Sequence, residues 1–181
     1  EAGYTSVCEF HYLHHQPDGQ PYTPDSELSL ALLRAAKNAG IGITLLPVLY
    51  QNSGFGAQAP NDGQKRFIRS TDNMLRLLET LAPACAAQGA ALGMAPHSLR
   101  AVAPEALKEA VQGLHALNAA APVHIHIAEQ MAEVNACLQW SGQRPVAWLL
   151  DHMPVDARWC LVHATHMDDA EYAGAAASQA V

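Results

Sequence analysis

Three side chains in the run VHIHIAEQ, Val123 to Gln130, have the types and spacing for hydrolytic chemistry: His124, His126 and Glu129. In a strand, residues two apart share a face, so both imidazoles point one way and Ile125 and Ile127 the other. An imidazole turned into an interior needs a partner, because an unsatisfied buried polar group is costly. A metal ion is one such partner. Glu129, just past the strand end, is placed to exchange protons with a water held there. The plain alternative is a pair of hydrogen-bonded core histidines. His163 follows WCLV in the same strand-end setting. Adjacent strands lie about 5 Å apart, so His126 and His163 can share one ion or one water. An ion held by histidine can bring the pKa of a water to near neutrality. With Glu129 moving protons, the target is an sp² carbon bearing nitrogen or oxygen: an amide, an amidine or a ring C–NH₂.

Other polar residues cluster at strand ends. HSLRAV puts His97 and Arg100 at one of them. Arginine clamps a carboxylate through its bidentate fork; the alternative is a surface pair with Glu105. His11 and Tyr12 end the first strand and are expected to line the same mouth. His166 falls in the loop after His163, as a surface or supporting residue. His14 and His15, in a polar loop, are expected to be solvated. His115 and His152 fall on helices and receive no role.

These residues need a scaffold, and the chain supplies β-like runs alternating with helical patterns, the signature of a parallel βα fold. The runs are Thr5 to Tyr12, Gly42 to Tyr50, Ala91 to Ser98, Pro122 to Ala128 and Arg158 to Ala164. The first helix is expected to be capped by Asp25 or Ser26 and stopped by Gly40. The second starts near Ser70 or Thr71, and Pro83 should break or kink it. Pro104 opens a third, through about Leu117. Helices follow around Glu133 to Leu138, from Pro145 to Leu150 and from near Asp168. The spacing of the runs suits βαβ units. Chemistry placed after parallel strands is the habit of α/β folds, and of TIM barrels above all. A complete barrel needs about 250 residues, so a chain of 181 with abrupt ends reads as a piece of a longer protein.

Composition narrows the function classes. Half the residues are apolar, enough for one core, and the net charge is −7 with no basic block. That argues against nucleic-acid and anionic-membrane partners. No apolar run approaches the roughly 18 residues of a membrane span. Cys8, Cys85, Cys137 and Cys160 form no C-x-x-C pair and are expected to be buried, reduced thiols of a cytoplasmic protein. Neither G-x-G-x-x-G nor a P-loop pattern is present.

VHIHIAEQ with CLVHATH resembles strands five and six of the amidohydrolase superfamily, in its deaminase branch. Six stretches in order extend the likeness over nearly the whole chain: GYTSVCEFHYLHH, GITLLPVLY, HSLRAV, VHIHIAEQ, WSGQRP and RWCLVHATH. Together they resemble the N-formimino-L-glutamate iminohydrolases (formimidoylglutamate deiminases) of bacterial histidine breakdown. The resemblance implies an α/β fold, a partial TIM (β/α)8 barrel covering about strands 2 to 6. It implies that His126 ligates zinc (iron is the alternative), that Glu129 shuttles protons, and that His163 orients the attacking hydroxide and stabilises the tetrahedral intermediate. Tyr12, His97 and Arg100 would bind the glutamate portion of the substrate, with Arg100 on its carboxylate, and His124 would be packed or supporting. The products would be N-formyl-L-glutamate and ammonia. The family's first-strand H-x-H ligands and last-strand Asp ligand, its small N-terminal β domain and its C-terminal strands would lie outside residues 1–181, leaving this piece inactive alone. The partner is a small dicarboxylate, and the oligomeric state stays open between monomer and homodimer. Competing readings are a deaminase of a nucleobase or guanidino compound, a non-catalytic α/β module with structural histidines, and a metal-free aldolase-type barrel. The last would want a strand-end lysine, whereas Lys37, Lys65 and Lys108 fall on helices or loops.

Overall fold

The computed structural model describes residues 3–181. Its strands are β1 (Ser6–His11), β2 (Gly42–Leu49), β3 (Ala91–Leu92), β4 (Ala95–Pro96), β5 (Val123–Ile127) and β6 (Trp159–His163). Every pairing among them is parallel: β1 with β2, β2 with β3 and then β4, and β5 with β6. A parallel bridge from Met94 to Val123 joins the two sets. The helices are α1 (Glu27–Ala39), α2 (Thr71–Gln88), α3 (Pro104–Leu117), α4 (Met131–Ser141), α5 (Pro145–His152) and α6 (Asp169–Ser178). Five parallel strand positions in chain order, each followed by helix, form an arc of a (β/α)8 barrel.

Burial explains the arrangement. In β2, Leu45, Leu46, Val48 and Leu49 are all fully buried, the continuous apolar run of a strand covered on both faces. Each such side chain contributes about 1.5–3 kcal/mol. β5 instead alternates: Val123, Ile125 and Ile127 are buried against the helix layer, while His124 and His126 are half-buried on the other face.

The third run is two short strands rather than one. Between them Gly93 N donates to Leu45 O (3.0 Å) and Met94 N to Pro122 O (3.1 Å), so the strand changes partner there. A Cβ on Gly93 would stand 2.3 Å from Pro122 O, an approach only glycine permits.

Pro83 does not interrupt α2. The carbonyl it leaves unpaired belongs to Glu79, on the exposed side of the helix where water can accept the role. Ser70 caps α2 by accepting from Asn73 N. The expected cap of α1 does not form: Ser26 makes no side-chain cap bond. Asp25 is instead taken bidentately by Arg69, at 2.6 and 2.9 Å. All four cysteines are free, but only Cys85 and Cys137 are buried; Cys8 is exposed on β1. No helix among the described residues is long and apolar enough to cross a membrane.

Candidate active site at the carboxyl ends of the strands

His126 sits on the open face of β5. Its Nδ1 lies 3.2 Å from the carbonyl oxygen of His97. A carbonyl can only accept, so Nδ1 carries the proton and Nε2 presents a lone pair. This is the tautomer a metal ligand needs. Burial holds its pKa below the usual imidazole range, and the His163 ring and Arg100 push the same way, against the His97 carbonyl and Glu129. The ring is therefore neutral at pH 7, as ligation requires.

His163 arrives by a different route. Trp159 and Leu161 of β6 point into the helix layer, and alternation would send His163 after them. Its backbone is left-handed instead (φ 72°), and its ring stacks on His126 with centroids 5.3 Å apart. His163 Nε2 is 3.8 Å from Glu129 Oε1, and both side chains are about 40% exposed at the mouth. A bound water fits between groups so placed, within reach of each.

Two further left-handed residues shape these ends, Ala128 (φ 50°) and Ala164 (φ 47°). Each such non-glycine position costs about 1–2 kcal/mol. The surroundings over-determine them. Ala128 N and Glu129 N donate to the carboxylate of Glu133, at 3.2 and 3.0 Å. Ala164 N donates to Ile127 O (3.0 Å) and His166 N to Ala128 O (2.9 Å). Arg144 donates to His166 O (2.6 Å) and to Glu171 (2.8 Å). Glu171, 1% exposed, also accepts from Val146 N and Ala147 N at the start of α5 and from Asp168 N. His166 thus acts through its backbone, and Arg144 of the WSGQRP stretch is the clasp on its loop.

The remaining expected residues converge on the same mouth. His97 lies 5.0 Å from His126 and 5.5 Å from Tyr12, ring to ring. Burial, then His126 and Arg100, push its pKa down to about 3, and Ser98 Oγ holds its Nδ1 at 2.9 Å. The Tyr12 phenol is raised by burial, with Tyr50 and Glu129 adding and Arg100 opposing. Arg100 faces a cleft of about 320 Å³ that it shares with Glu129 and Glu133. Its Nε is buried without a hydrogen-bond partner. His124, one pleat deeper, is half-buried, and burial lowers its pKa.

Some expectations do not hold. His11 is buried on the opposite side of β1 from Tyr12, 5.2 Å from His14, and does not line the mouth. Phe10, two residues before Tyr12, takes that place, 4.2 Å from the His126 ring. The period-two spacing of Phe10 and Tyr12 was the available signal. His14 and His15 are not solvated. His14 is 2% exposed with Nε2 on Val48 O (2.9 Å), and His15 Nε2 meets Ile68 O (2.9 Å). The loop folds back so that His14 N and His15 N both reach Arg66 O. Glu133 was overlooked; a glutamate in the first turn of α4 was its only mark.

His126 fits a metal ion by tautomer, charge and orientation, with His163 and Glu129 beside it. These are part of a site: among the described residues, no group of three His, Cys, Asp or Glu side chains can hold an ion.

The formimidoylglutamate deiminase of Pseudomonas aeruginosa is 52% identical over 181 residues, covering 100% of this chain and 39% of that protein. A crystal structure of an amidohydrolase from Brucella melitensis superposes with a TM-score of 0.93 at 53% identity, over 99% of this chain and 39% of that one. Atrazine chlorohydrolase from Arthrobacter aurescens, a zinc complex, shares the fold with a TM-score of 0.75 at 19% identity, over 97% of this chain and 37% of its own. This chain therefore spans about two fifths of the relatives it matches. With strand-end histidines, a neighbouring glutamate and a match to the amidohydrolase family model over residues 1–179, the chain belongs to the amidohydrolase family.

Proposed function

We propose that this chain is the central part, about strands two to six, of a metal-dependent enzyme that hydrolyses N-formimino-L-glutamate. Water replaces the imino nitrogen, giving N-formyl-L-glutamate and ammonia. The carrying observation is that a proton carrier (Glu129, beside His163) and a cation (Arg100) line one cleft. The 52% identity to a formimidoylglutamate deiminase supports the choice of substrate.

Each residue has a task. His126, with ligands from segments outside this chain, would hold a zinc ion. When bound, that ion acidifies a water and polarises the electrophilic carbon. Glu129 moves one proton from the attacking water to the imino nitrogen and then the hydroxyl proton of the tetrahedral intermediate to the same nitrogen, so that the C=O bond forms as the C–N bond breaks and ammonia leaves as a neutral molecule. His163 holds that water in line and donates to the charge that develops on its oxygen. Arg100 clamps a glutamate carboxylate through paired N–H bonds. Tyr12 and His97 orient the rest of the dicarboxylate and, with Phe10, wall off bulk water. We place the enzyme in the cytoplasm, in keeping with its free thiols.

The test is ammonia release by the complete, zinc-loaded protein from formiminoglutamate, adenine, cytosine and guanine. Turnover of formiminoglutamate alone is expected. Arg100→Met should lower kcat/KM on it by about a hundredfold, the cost of an unpaired buried carboxylate. A preference for a nucleobase, or an unchanged Arg100→Met enzyme, would sink the proposal.

A further inference from the structure

We infer that Glu133 is a positioning residue for Glu129. The inference rests on the reading of Glu129 as the proton carrier. Glu133 lies in the first turn of α4 and is 6% exposed. A glutamate there ordinarily reaches back to the N–H of the capping residue. Here the capping position is Gln130, and Glu133 passes it by. Its two oxygens accept instead from Ala128 N (3.2 Å) and Glu129 N (3.0 Å), the amides on either side of the left-handed Cα of Ala128.

That choice of partners bears on catalysis. Among the described residues, the Glu129 carboxylate accepts no hydrogen bond, and its one polar contact is His163 at 3.8 Å. Its location is therefore inherited from its backbone. The backbone is fixed by the reversal at Ala128, and Glu133 ties both amides of that reversal to the rigid start of α4. His166 N holds the same residue from the other side, through Ala128 O (2.9 Å). A carboxylate is the suitable group: it offers two acceptors to two donors, and although burial raises its pKa, the amides of Glu129 and Ala128 and the nearby Arg100 favour its charged form. An amide in its place would turn an NH₂ toward an N–H.

The test is a double-mutant cycle in the complete, zinc-loaded enzyme. Glu133→Gln should lower kcat at least about tenfold while KM and zinc content stay within about twofold. In a Glu129→Gln background the same change should cost almost nothing, because its effect passes through Glu129. Ala128→Gly gives a second route that keeps the fold, since glycine adopts this φ freely. It loosens the reversal and should lower kcat with the same dependence on Glu129. Losses that simply add in the Glu129→Gln background, or a normal kcat in Glu133→Gln, overturn the bracing role alone. A Glu129→Gln enzyme with full activity overturns both the bracing and the proton-carrier assignment.

Discussion

Two clusters of three histidines sit at the carboxyl ends of this arc, and they do opposite work. His11, His14 and His15 gather under the first loop, beside Arg69. His97, His126 and His163 gather at the mouth. Low pKa does not separate them: burial, aided by Arg69, takes His14 to about 3 and His11 to about 4, and His97 at the mouth also falls to about 3. What separates them is where the second ring nitrogen faces. In the first cluster His14 and His15 donate to Val48 O and Ile68 O, and the unpartnered nitrogens, His11 Nε2 and His15 Nδ1, are shut away from solvent. At the mouth His126 is fixed through Nδ1 with Nε2 left free, and His163 is 40% exposed. A histidine becomes chemically available when one nitrogen is anchored and the other is open.

The contrast breaks most visibly under substitution at the mouth. Glu129→Gln should lower kcat by about a hundred- to ten-thousand-fold, the range for losing a proton-transfer group. Its unfolding midpoint should stay near that of the parent, measured in urea. Next comes a paired test. His14→Leu keeps the volume but strands Val48 O, so the folded state should lose about 1–3 kcal/mol while kcat per folded molecule is retained. His126→Asn should do the reverse, holding the midpoint and losing bound zinc, read by metal analysis. If His14→Leu abolished turnover without unfolding the protein, the division between the clusters would be wrong.

The smallest effect is a slope. The folded-state pKa values of His11, His14 and His97 all lie below the ordinary 6.5. The unfolded chain therefore binds protons that the folded one refuses. The stability associated with neutral rings is complete above about pH 6.5 and drains away as pH falls toward 4 for His11 and toward 3 for His14 and His97. Urea midpoints should drop between pH 7 and 5, and His14→Leu should flatten that decline. A decline equally steep in the variant would assign it to other groups.

The sequence carried the mouth well because period-two spacing and strand ends are local properties. His126 and Glu129 follow from one face of one strand, and the parallel order of runs then places His97 and His163 on either side. The misreadings are non-local. Nothing in PDGQ next to His14 and His15 tells that their loop doubles back onto Arg66. Asp25 looks like a cap until Arg69, forty-four residues on, claims it. His163 lies against His126 although its own strand alternation points elsewhere; a left-handed backbone, which no residue type there announces, turns the ring. Pro83 misled for a simpler reason: proline costs a helix one bond, and exposure makes that cost small.

The alternation in β5 also governs how this protein can change. Sliding Val123–Ile127 by one residue against its neighbours would turn both imidazoles into the helix layer and bring the isoleucines to the mouth. The close contact of Gly93 with Pro122 O pins that register just upstream. A single inserted or deleted residue between Asn118 and Pro122 should thus erase the site while leaving the composition of the strand intact. The stretch from Ser53 to Lys65, which lies outside the strand pairing and precedes the Arg66 and Ile68 carbonyls that hold His14 and His15, can lengthen or shorten without shifting the imidazoles of the mouth. Variation in length among natural versions of this domain should accumulate in that second segment, where selection on substrate can work without disturbing the strand register.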